Sequence, residues 1–274
     1  MYLYGQKLGL LALATGLALC SSRPALGNTY TFATAPGATV TSGGNVLPVD
    51  ATVQFITALN QITIRVTNLQ QETTGTAAQA ISAVDFHLLG LTGSNLSPTL
   101  YSYQGEIGNL VHTTGSNATF TTNGLIYNST GGNVANQWNI YTNYVGPGSN
   151  RGAQISGGIQ LTTLNATGNR TELIIGPPNT APNTYTANNA LRGDSPVLRT
   201  QSNTYIEYVI HFAPGSGVTS STVVDAARMS WNTTFRASTE LNLEPTPEPG
   251  EWCLILGGLG ALAILKHTRA KRSE

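Results

Sequence analysis

The chain has 274 residues, only 9% of them charged, and its 13 basic and 13 acidic side chains cancel to a formal net charge of zero. All three lysines, Lys7, Lys266 and Lys271, lie near the two ends, and the stretch 28–249 carries seven arginines against eleven acids, a formal charge of −4. That balance excludes the basic surface on which nucleic-acid binding depends, and the lack of lysine excludes Schiff-base and Ser-Lys chemistry in this stretch.

The first predicted element is an export signal over 1–27. Lys7 gives a positive start, Leu8 to Cys20 an apolar core, and Ala25 and Gly27 place small residues where a signal peptidase reads them. Cleavage after Gly27 leaves Asn28 as the new N-terminus. A rival reading is a lipoprotein signal, since Leu17, Ala18, Leu19 and Cys20 approach a lipobox; the residue before the cysteine is leucine, where a small one is needed. Cys20 and Cys253 are the only cysteines and both sit in apolar end segments, so the part between them must fold by packing, without a disulfide.

That part, 28–243, reads as one all-β domain, a β-sandwich of jelly-roll-like type, because Thr, Tyr and Val favour strands while Asn and Gly supply turns. Ala51 to Leu69 alternates apolar and polar residues on both sides of a turn at Asn60 and Gln61, which predicts a hairpin with one buried face. Ile81 to Leu89 follows as a strand with Val84, Phe86 and Leu88 on one face and Asp85 and His87 on the other. Further strands are predicted at Tyr30 to Thr34, Gln137 to Tyr141, Ile159 to Leu164, Thr171 to Ile175, Tyr205 to Phe212 and Arg228 to Phe235. Two stretches rich in Gly, Asn, Thr and Pro, 109–136 and 176–203, read as long loops, the first place to look for binding.

Chemistry in this domain is sparse. There is no Gly-x-Ser-x-Gly elbow, no His-Glu-x-x-His helix and no cysteine metal site. Period two puts Asp85 and His87 on one strand face and Glu207 and His211 on another; were the strands neighbours, the four could hold a divalent ion. The bland alternative is a solvated polar face, and no cofactor is expected. Glycoside hydrolysis needs two carboxyl groups about 5 to 10 Å apart, yet Asp50, Glu72, Glu106, Glu172, Asp194, Asp225 and Glu240 are spread singly along the chain. Tyr101, Tyr103, Trp138, Tyr141 and Tyr144 could stack on sugars or pack.

The last predicted elements are a proline-rich linker over 244–251, an apolar helix over 252–265 and a basic tail over 266–274. Pro247 and Pro249 keep Pro247, Glu248 and Pro249 extended and accessible. From Trp252 to Leu265 the 14 apolar residues span about 21 Å as a helix, short of a hydrocarbon core of about 30 Å. Lys266 and Arg269 can snorkel, and Lys266, Arg269, Lys271 and Arg272 favour a cytoplasmic tail by the positive-inside bias. An ordinary tail anchor with a proline-rich stalk would read similarly.

This order of Pro-Glu-Pro, one apolar helix and a basic end resembles the PEP-CTERM sorting signal of exopolysaccharide-producing bacteria. His267, Thr268 and Ala270 interrupt the basic cluster and Glu274 closes it, a departure from the family pattern. The resemblance covers roughly a tenth of the chain and implies recognition by an exosortase, a membrane-embedded transpeptidase-like enzyme, as its substrate. The threonine-studded middle is similar in pattern to the β-rich domains found upstream of such signals. The expectation is therefore an exported, non-enzymatic protein of the cell surface or extracellular matrix, held in the membrane at least until it is processed. Two alternatives stay open: a carbohydrate-binding or adhesive module of the polysaccharide matrix, and a glycan-active hydrolase.

Overall fold

Alternating apolar and polar residues build strands, and in this computed structural model every regular element among the described residues is a strand apart from short 3-10 turns such as Gly93–Asn95. The structure describes residues 27–70, 79–112, 118–129, 138–142, 154–163, 175–176, 184–185, 196–199, 205–231 and 240–246. Strand β1 (Thr29–Ala33) leads to a small hairpin of β2 (Thr39–Ser42) and β3 (Asn45–Pro48). A longer hairpin follows, β4 (Ala51–Ala58) and β5 (Gln61–Asn68), then β6 (Ile81–Leu88), β7 (Thr99–His112) and β8 (Ala118–Ser129). Shorter strands come next: β9 (Asn139–Tyr141), β10 (Ile159–Thr162), β11 (Ile175–Gly176), β12 (Thr184–Tyr185) and β13 (Pro196–Arg199). The described set ends with β14 (Ile206–His211), β15 (Val224–Trp231), β16 (Glu240–Asn242) and β17 (Glu244–Pro245).

Apart from the separate β2–β3 pair, the strands join one sheet in the order β16-β15-β6-β11-β13-β7-β14-β5-β4-β1-β17, with β10 and β9 continuing from β6 and β8 and β12 from β7. Every pair is antiparallel except β11 with β13. Only Leu243 separates the two ends of this path, so the segment 240–245 pairs with β15 through β16 and with β1 through β17, and the path closes on itself. Residues far apart along the path then meet inside. Phe55 of β4 touches Phe86 of β6 at 5.0 Å; Phe55 also meets Phe32 of the neighbouring β1 at 5.9 Å, and Trp138 packs on Tyr208 at 4.9 Å. Full burial of each such side chain stabilises the fold by roughly 1.5–3 kcal/mol.

The β4–β5 hairpin forms as its alternation predicts, with Val53, Phe55, Ile62, Ile64 and Val66 wholly buried. Its turn lies one residue earlier than expected: Ala58 pairs with Gln61, leaving Leu59 and Asn60 as the turn, and Asn60 takes φ +54°, which asparagine tolerates better than most residues. Other boundaries move similarly. The predicted 228–235 strand instead runs Val224–Trp231, and 232–235 lies outside the described residues, as does 171–174 of another predicted strand.

Two expectations are overturned. The stretch 109–136 is not one long loop: the end of β7 and all of β8 run through it, paired from Ser102 with Ser129 to His112 with Ala118 around a bulge at Glu106/Gly108. The stretch 176–203 likewise holds β12 and β13. Asn and Gly in these stretches suggested turns, yet the threonines and isoleucine of β8 suit a pleated strand once β7 offers a partner. The second correction concerns β6. Asp85 does not lie on a solvated face, because β15 on one side and β10 and β11 on the other make β6 interior to the sheet, and nearly every β6 residue is buried on both faces. Contacts group Gly27–Pro245 as one unit.

Candidate functional site

One polar cluster of the described residues lies on the second face of β6. Period two puts Asp85 and His87 on that face, and the register sets Gln160 of β10 on one side of Asp85 and Arg228 of β15 on the other, with Asn242 of β16 beyond. Asp85 is 1% exposed. Arg228 donates from Nε to Asn242 Oδ1 at 3.0 Å and holds Nη1 3.8 Å from Glu240. Gln154, in the segment before β10, donates from Nε2 to Gln160 Oε1 at 3.4 Å and to the Tyr141 carbonyl at 3.5 Å.

Asp225 enters through a β-bulge. Val224 pairs with Leu88 and Ala226 with His87, so Asp225 is the extra residue, and its Oδ1 sits 2.7 Å from His87 Nδ1. Bulges commonly re-aim a side chain beside a functional site. The same ring lies against Gly157, whose φ of +73° brings the backbone close; a Cβ there would stand 3.7 Å from His87 Cδ2 and Nε2. Beside this pair opens a cavity of about 460 Å³ walled by Gln154, Ser156, Asp225, Arg228 and Asn242, with Phe32, Leu243 and Pro245 among its apolar residues. The size falls in the range of about 300–1,000 Å³ typical of small-molecule sites.

Glu207 and His211 are not brought to this place. They share the half-buried face of β14, which pairs with β5 and β7, whereas β6 pairs with β15, β10 and β11. Glu207 accepts from Arg65 Nε at 2.8 Å, Arg65 also lies 4.5 Å over the Tyr205 ring, and His211 stacks on Tyr101 at 4.1 Å. Both residues are therefore tied to β-sheet neighbours. Among the described residues no group of three or more His, Cys, Asp or Glu side chains is placed to hold a metal ion.

Of the candidate sugar-stacking aromatics, Trp138 is buried against Tyr208, which makes it core, and Tyr101 is the partner of His211. Gly27 is described and packs on the Thr57 carbonyl, while Asn28 donates its backbone N–H to Ser220 at 3.1 Å. Ala25, the motif Pro247, Glu248 and Pro249, and the predicted helix and tail with Trp252, Leu265, Lys266, Arg269, Lys271 and Arg272 lie outside the described residues. Among those described, no helix is long and apolar enough to cross a membrane.

Sequence reasoning missed Gln154, Arg228 and Asn242 as wall residues and held Asp225 only as one scattered acid. One signal was available: Asp225 interrupts the apolar run Val223, Val224, Ala226 and Ala227, as a bulge residue does. Compared with known proteins, the chain matches no family model, no curated protein and no solved structure.

Proposed function

We propose that this protein is an exported, non-enzymatic component of a bacterial cell surface or extracellular matrix, sorted and processed by an exosortase. The observation that carries the reading is the order of Pro247, Glu248 and Pro249, the apolar run Trp252 to Leu265, and Lys266, Arg269, Lys271 and Arg272. An extended tripeptide on the far side of a short membrane helix is what a membrane-embedded processing enzyme can grip. The all-β unit suits the role of an exported domain: it needs no disulfide, and its last described strand stops at Pro245. We read that unit as a β-sandwich, supported by the contact of Phe55 with Phe86 across strands distant in the sheet order. The segment 1–27 directs export and is then removed by a signal peptidase, leaving Asn28 first.

Intact-mass measurement of surface material from the native host tests the reading. The mature protein should lack 252–274, and Glu248→Ala should leave membrane insertion intact while stopping the processing. Peptides spanning 271–274 in most of the surface-exposed material would overturn it, and unchanged processing of the alanine variant would assign the cut to a general protease. A second reading, a carbohydrate-binding module, is favoured by the polar cavity beside Asp225 rather than by the stretches first read as loops.

A further inference from the structure

We propose that the cavity walled by Gln154, Ser156, Asp225, Arg228 and Asn242 binds one uncharged sugar unit of a glycan. Three observations select this chemistry. First, the charges in the wall already have partners. Arg228 is bonded to Asn242, lies near Glu240 and stands opposite Asp85 in register, and one oxygen of Asp225 is held by His87. An acidic or cationic ligand would have to compete with these pairs, whereas hydroxyl groups can bond to the second oxygen of Asp225 and to the Ser156 hydroxyl without displacing them.

Second, the wall holds a buried acceptor awaiting a donor. Gln154 is 3% exposed and spends its amide nitrogen on Gln160 and the Tyr141 carbonyl, while its Oε1 has no hydrogen-bond partner. A buried amide oxygen without a donor is costly, so the wall at Gln154 is polar and short of donors, a setting that a hydroxyl-rich ligand suits better than an apolar one. Third, the wall is mixed. Carboxylate, amides and a hydroxyl stand beside the exposed Pro245 and the half-buried Ile155, which suits a pyranose with hydroxyls on its rim and C–H groups on its face. Small-molecule sites typically combine such an apolar lining with a few fixed polar groups.

The inference is independent of the sorting reading, because binding here concerns only the unit 27–245 and holds wherever the protein resides. The experiment is saturation-transfer NMR on the purified full chain with glucose, galactose and mannose, each as free hexose and as methyl glycoside, beside glucuronate and glucosamine. At least one methyl glycoside should bind saturably and more tightly than either charged sugar. Asp225→Ala should weaken it by about tenfold or more, the scale of one lost hydrogen bond to a charged group. Ser156 is exposed, so Ser156→Trp blocks the cavity without entering the core and serves if Asp225→Ala fails to fold. Saturation by none of the sugars, preference for a charged one, binding of free hexoses alone, or binding that survives Ser156→Trp would each overturn the proposal.

Discussion

At the scale of single residues, two arginines that stand beside carboxylates should differ in worth. Arg65 and Glu207 meet at 2.8 Å with side chains 32% and 24% exposed, so water screens the pair, and Glu207→Ala should cost no more than about 1 kcal/mol. Arg228 instead faces a carboxylate, Asp85, that water does not reach. Removing a cation opposite a buried acid costs more, about 3 kcal/mol, because the acid's desolvation is then less well compensated. Urea unfolding of Glu207→Ala and Arg228→Ala checks the contrast, and equal losses would mean that Asp85 is compensated elsewhere. The pairing of Asp225 with His87 belongs to this scale too. It was invisible to period-two reasoning, which assigns faces along one strand and cannot see an inserted residue turn toward its neighbour.

At the scale of elements, burial decides register. Ile62, Ile64 and Val66 are wholly buried on one face of β5, and a one-residue slip would expose all three. Ile64→Asp should therefore destabilise the protein by about 3 kcal/mol or more, a buried charge without a partner, and an unchanged melting temperature would refute the strand's placement. The turn that sets this register makes a subtler prediction. Asn60 at φ +54° should accept Gly at little or no cost, while Asn60→Val should lose about 1–2 kcal/mol to left-handed strain; equal stability of the two variants would sink the assignment. Elements of this kind were legible because one face is buried and the other wet. Strands β6 and β8 were harder for opposite reasons. The former is buried on both faces, so its Asp85 and His87 looked like a solvated stripe; the latter is written in Thr, Asn and Gly, residues that also write loops. The candidate site was legible only through Asp85 and His87, which lie beside the cavity, because its walls come from β1, β15, the segment 242–245 and the segment before β10, which only the sheet order brings together.

At the scale of the whole sheet, the closure depends on a short stretch near the end of the described residues. Open sheet edges present unpaired N–H and C=O groups and invite association. Here β16 covers the edge of β15, and β17 covers β1 with the pairs Phe32 to Pro245 and Ala33 to Glu244. Leu243, between them, is buried in the core and donates its N–H to Ala227 at 3.0 Å. One substitution there should consequently loosen two distant edges together. Leu243→Asp would place a charge in the core and release the segment 240–245 from both neighbours. Hydrogen exchange should then quicken in β1 and in β15 to similar degrees, and self-association should rise with protein concentration. Val46→Asp is the matched control, since Val46 is 66% exposed on the separate β2–β3 hairpin and should change stability by no more than about 0.5 kcal/mol. Exchange that quickens in β15 alone, with β1 as protected as before, would mean that β1 does not rely on this segment and that the sheet has a free edge instead of a closed path.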